Sequence, residues 1–164
     1  MAGKNIVRRS QRVAFMNTGT AEAPVYTRMT GFTSLSYSKN SKEYTRHYVD
    51  EESERSDVVG YAPSIAYSFD RHTNDAVHEK IARIHDEELL GNDAHLEILT
   101  VDLFTKDEAG KCVAIKRTYA AIPDKDGDGT DALVVSGTFK SVSEITKTFA
   151  TVAIDGATAT IVTQ

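Results

Sequence analysis

The stretch PDKDGDGTD, residues 123–131, decides the fold. Asp124, Asp126 and Asp128 alternate, and Gly129 follows. A calcium loop between two helices begins this way, with alternating carboxylates and a glycine at the sixth position. The match then stops: the ninth position is Ala132, and the twelfth, where a bidentate glutamate belongs, is Val135. The flanks argue against helices. CVAIKRTYAAI (112–122) precedes the loop and ALVVSGTFKSV (132–142) follows it. Both are rich in β-branched and aromatic residues, which suit a pleated surface. Leu133, Val135, Gly137 and Phe139 also recur with period two. Asp turns the chain by bonding its own backbone, and Gly accepts positive φ, so neither needs a metal here. The stretch therefore reads as an acidic loop joining two strands. Asp124, Asp126 and Asp128 remain a weak metal candidate, and no cofactor is expected.

Working outward, strand signals dominate. Expected strands lie at 6–15, 25–37, 44–49 and 58–70, then at 96–104, 111–122, 132–139, 145–152 and 158–163. Within 25–37, Met29, Gly31, Thr33, Leu35 and Tyr37 are expected on one face. Within 58–70, Tyr61, Ile65, Tyr67 and Phe69 are expected on another. The spacing predicts one helix over 74–90, with Val77, Ile81 and Ile84 as its apolar stripe. Thr73 or Asn74 would cap its start and Gly91-Asn92 its end. The reading is a mainly β domain over 1–164, a sandwich or barrel with one flanking α-helix. The polar segment 38–60 is too long for a tight turn. It reads as a protruding β-hairpin arm that packs on something outside the domain.

The chain has 164 residues, 40% hydrophobic and 26% charged, which suits one globular domain with a real core. No apolar run is long enough to span a membrane, and no secretory leader is visible. Cys112 is the single cysteine, so an internal disulfide framework is excluded. The net charge of −5 lacks the basic excess of a DNA-binding domain. A short basic run, Lys4, Arg8, Arg9 and Arg12, suits an acidic partner surface or solvent.

Catalytic signatures are missing. His78 and His85 lie seven apart on the expected helix, without the ligand pair of a zinc helix, and are expected to be solvated. Cys112 sits on an expected strand as a small buried or half-buried residue. There is no phosphate-binding glycine loop and no nucleophile elbow. The residues favour a non-enzyme with no catalytic residue. A single sheet of this size would also leave edges that seek partners, and a ring of copies would close them.

The run 28–70 resembles the N-terminal half of phage tail tube proteins, the major tail proteins of long-tailed phages of Gram-positive hosts. The resemblance rests on Tyr48-Val49-Asp50-Glu51, the acidic arm after it, and Gly60-Tyr61-Ala62-Pro63. The helix after SFDRHTND, the later strands and the acidic loop keep the family's order across about 25–152. The resemblance implies a tail-tube-like β fold whose copies form hexameric rings that stack into a hollow tube. DNA would pass through an electronegative lumen during ejection without specific binding. It further implies a place in the virion tail, assembly in the host cytoplasm, and partners such as the tape measure and tail terminator. The arm would pack on a neighbouring subunit through Tyr44, Tyr48, Asp50, Glu51, Glu52 and Glu54. Alternatives are a contractile-injection tube, terminator or head-decoration protein, and a calcium-dependent β binding module.

Overall fold

The computed structural model describes residues 3–127 and 129–162. Its strands are β1 (Arg12–Asn17), β2 (Tyr26–Arg28), β3 (Phe32–Ser38), β4 (Ser41–Arg46), β5 (Arg55–Tyr61), β6 (Ser64–Asp70), β7 (His95–Asp102), β8 (Cys112–Asp126), β9 (Val134–Ser141), β10 (Thr146–Val152) and β11 (Thr158–Val162). Helix α1 (Ala76–Asp86) lies between β6 and β7.

Strand β1 shows why the fold has two cores. Five of its six residues are buried, which one buried face cannot produce. Val13 and Phe15 enter one core, while Ala14 and Met16 enter the other. Strand β7 repeats the division: Leu99 and Val101 go with the first set, Leu96 and Ile98 with the second. These two strands form the wall between the cores.

The first core fills a closed antiparallel barrel of six strands, in the order β1, β2, β11, β10, β8, β7 and back to β1. Small residues line it beside Phe15 and Tyr26, notably Cys112, Ala114, Ala150 and Ala159. Barrel closure pairs edges that would otherwise stay open. The long strand β8 makes closure compatible with a larger sheet. Its beginning pairs with β10 and its end with β9, while its other edge stays on β7. From that fork the sheet continues through β9 and β6 to β3. This wing and α1 cover the outer face of the barrel wall and enclose the second core. Ile65, Tyr67 and Phe69 of β6 pack there with Val77, Ile81 and Ile84 of the helix. The fold is thus mainly β, a barrel with an added wing and one flanking helix, as the strand patterns and the helical stripe indicated.

Several boundaries moved for identifiable reasons. The N-terminal strand begins at Arg12, and Ile6 stands exposed before it. The expected strand 25–37 is two strands, broken at Gly31, whose φ is +76°. A side chain there would also crowd the His78 ring. The expected strand 44–49 ends at Arg46, and Tyr48 falls in the following turn. The stretch 58–70 splits at Ala62-Pro63, because proline offers no N–H to a ladder. Tyr61 is consequently exposed and does not share the face of Ile65.

The helix is shorter than its apolar pattern. Asp75 caps it, accepting from the N–H groups of Val77 and His78. Thr73 and Asn74 do not cap it; Asn74 has φ +59°. At the other end Glu88 turns left-handed, and the Leu89 N–H donates to the Ile84 carbonyl at 3.2 Å. That pattern closes the helix before Gly91. Leu89 packs on the second core, but Leu90 is exposed.

Candidate assembly interface

Strands β4 and β5 pair with each other in register from Ser41↔Tyr61 to Arg46↔Arg55. They form a two-stranded sheet separate from the nine-stranded one. Every residue in them is exposed except Gly60, which is half-exposed. A lone two-stranded ribbon has no core of its own and is marginal in water. Val58 and Val59 are both more than half exposed, as is Tyr61. A bulge interrupts this pairing: Lys42 pairs with Gly60 and Glu43 with Val58, leaving Val59 as the extra residue. Two adjacent valines in an otherwise polar and charged segment were a usable sign, because that segment has no apolar face to cover them.

Tyr44 lies on β4 with the Arg46 guanidinium 4.8 Å from its ring centre. Tyr48 is half exposed in the turn. Glu51 binds Arg55 through both carboxylate oxygens, at 2.6 and 2.7 Å, and its carbonyl holds the His47 ring at 2.8 Å. Asp50, Glu52 and Glu54 are exposed around this clasp. The six residues expected at an interface therefore occupy one ribbon and its tip.

Strand β3 ends the nine-stranded sheet. Beside it lies a groove of about 450 Å³ lined by Arg9, Arg12, Arg28, Phe32, Thr33 and Leu35, among others. Arg12 pairs with Asp102 at 2.7 Å, and that carboxylate holds its guanidinium pKa above the ordinary value. Arg9 donates to the carbonyls of Arg12 and Leu35, at 2.7 and 3.1 Å.

The histidines are placed otherwise than expected: His78 and His85 are buried in the second core, not solvated. The His78 ring stacks on Phe69 with centroids 4.4 Å apart. Its Nδ1 accepts the His72 backbone N–H at 3.0 Å, so its Nε2–H donates to the Thr30 carbonyl at 2.6 Å. His85 joins Tyr67 to the acidic loop. Its Nδ1 is 2.7 Å from an Asp126 carboxylate oxygen. A lone pair facing a carboxylate would repel it, so Nδ1 carries the proton and Nε2 accepts from the Tyr67 hydroxyl at 2.6 Å. Burial raises the Tyr67 pKa above the usual phenol value, and the nearby Asp126 and Asp124 raise it further. Nothing in the sequence signalled their burial, because Thr30, Tyr67 and Asp126, which satisfy three of the four ring nitrogens, lie far along the chain.

Strand β8 runs on through Asp124 to Asp126, with a register shift between Pro123 and Lys125. Asp126 is occupied by His85, and Asp128 lies outside the described residues. Among the described residues, no group of three or more His, Cys, Asp or Glu side chains is placed to hold a metal ion. Cys112 is buried in the barrel, where desolvation pushes its thiol pKa up.

No family model matches the chain, and no curated protein matches it. Solved structures do. A chain of the anti-feeding prophage (AFP) baseplate, 6-fold symmetrised, superposes with a TM-score of 0.50 at 8% identity. The match covers 90% of this chain and 97% of that one. A chain of the anti-feeding prophage tube terminating cap also superposes with a TM-score of 0.50, at 16% identity, covering 90% of this chain and 93% of that one. At such identities the likeness is one of fold, and it extends over nearly the whole of all three chains.

Proposed function

We propose that this chain is a structural subunit of a phage tail tube, whose copies assemble into stacked hexameric rings around a conduit for DNA. The observation that carries the reading is the β4–β5 ribbon, uncovered on both faces, attached to a domain that already has two complete cores. Such a ribbon gains stability only by packing on another surface. Tyr44 and Tyr48 would supply aromatic contact area there, with Val58, Val59 and Tyr61 alongside. Asp50, Glu51, Glu52 and Glu54 would set register and partner choice. The likeness to AFP baseplate and cap chains supports an injection-particle setting. The role is architectural: His78 and His85 spend their nitrogens on bonds within the core. In this reading the chain works in the virion tail, with a tape measure and a tail terminator as further partners.

The resemblance to the tube terminating cap favours one second reading, a terminator that forms a single ring and stops. Negative-stain electron microscopy with light scattering across concentration separates the two. Hollow tubes support the first reading and rings that never stack support the second. Replacing residues 41–61 with a short glycine-serine turn should abolish assembly while the fold persists. Assembly undiminished by that deletion would refute the role given to the ribbon.

A further inference from the structure

We propose that the acidic tip of the β4–β5 ribbon from a second copy docks in the Arg9–Arg12–Arg28 groove beside β3, an inference that rests on the self-assembly reading above. The two surfaces are complementary in charge. The tip carries Asp50, Glu51, Glu52 and Glu54. Among the described residues, Arg55 engages only Glu51, and no ion pair holds the other three. Three arginines line the groove, and of these Arg12 alone is paired, with Asp102, among the described residues. Arg9 is anchored by backbone carbonyls, which fix its direction and leave its charge unbalanced. Arg28 forms no ion pair among the described residues and reaches toward Gly156, where a Cβ would stand 3.0 Å from its Nη1. Arginine is suited to this task, because its planar fork accepts a carboxylate at two points.

The groove and the base of the ribbon share β3, which favours contact between copies. Strand β4 alone carries the tip on the order of 20 Å beyond the end of β3. No hydrogen bond or ion pair joins tip and groove within one chain among the described residues. Ser34 of β3 lines the same groove and adds a hydroxyl donor, whereas the Thr33 hydroxyl already donates to the Ser68 carbonyl at 3.2 Å. A carboxylate-bearing ribbon fits it better than a nucleic acid, since the chain is acidic overall and its own tip would repel a phosphate backbone.

A charge swap tests the docking. One full-length variant, R9E/R28E, makes the groove acidic; another, D50K/E52K/E54K, makes the tip basic. Both change exposed or half-exposed positions, and thermal melting checks that each folds. Sedimentation velocity and electron microscopy follow association of the wild type, each variant, and their equal mixture. Each variant alone should associate at least about tenfold more weakly than wild type. The mixture should recover association, because each tip then meets a groove of opposite sign. Variants that assemble as wild type does would overturn the docking and leave the self-assembly reading standing. Charge-dependent association that yields no ring would keep the docking and remove the ring. A wild type and a mixture that both stay monomeric would remove both. Binding of duplex DNA that R9E/R28E loses, with self-association unchanged, would assign the groove to nucleic acid instead.

Discussion

Gly137 sits in the middle of β9, opposite Tyr67 on β6 and Pro123 on β8. Its backbone is ordinary strand, so the reason for glycine is space. The Tyr67 ring lies across it and stacks on Phe139, with centroids 4.1 Å apart. A Cβ at Gly137 would stand 2.5 Å from the Ile122 carbonyl oxygen, 2.6 Å from the Tyr67 hydroxyl oxygen and 2.8 Å from the Tyr67 Cζ. Relieving these contacts means moving the strand or the ring by about half an ångström or more in a close-packed interior. The strand is hydrogen-bonded on both sides, and the ring is pinned by His85. Gly137→Ala should therefore cost about 2–3 kcal/mol, toward the upper end for overpacking. The lower unfolded-state entropy of alanine offsets only about 0.4–1 kcal/mol of the raw penalty. For a domain of this size the net loss, about 1–2.6 kcal/mol, lowers Tm by roughly 2–10 °C. Urea and thermal unfolding by circular dichroism would measure it. Tyr67→Phe added to Gly137→Ala should recover less than about 1 kcal/mol, since the carbonyl and Cζ clashes remain. A Gly137→Ala protein melting within about 1 °C of the parent would refute the packing argument.

Tyr67→Phe alone removes the donor to His85 Nε2 and should cost about 1–3 kcal/mol, read by the same melts; no loss would mean the contact carries no stability. Tyr26, Tyr37, Tyr67 and Tyr119 all have folded pKa values raised above 10.0, with burial the largest cause in each. A raised folded value gives stability that is complete below the unfolded pKa and is lost as pH climbs through the folded one. Lys80, lowered by burial, acts in the opposite sense on one group. Stability should fall as pH rises above 10.0, with phenolate absorbance appearing together with unfolding. Phenolate forming first, in the folded protein, would contradict this. Calcium at about millimolar concentration, the range of weak extracellular sites, should leave Tm unchanged because Asp126 is engaged by His85. A rise of several degrees would show the acidic loop to be a metal site.

The sequence alone determined the elements and their chemistry. The period-two run in 132–139 became β9, because a strand with one face in the core and the other outward must alternate, and the apolar run in 96–104 became β7, whose two faces enter the two cores. The stripe Val77, Ile81 and Ile84 placed α1 against β6, because no other face of that helix is apolar. The loop at 123–131 declared itself a strand connection by its flanks. Tertiary structure decided what depends on partners far along the chain. The fork of β8 between β10 and β9 requires two strands that come later, and local pattern carries no record of pairing. Burial of His78 and His85 depends on Thr30, Tyr67, His72 and Asp126 supplying bonds their own neighbourhood lacks. The glycine at 137 reads as a weak strand residue until the Tyr67 ring is laid across it. The arginines at 9, 12 and 28 become one groove only when the wing brings β3 beside β1 and β2 of the barrel. Composition and periodicity act within a few residues; closure of a barrel acts across the whole chain.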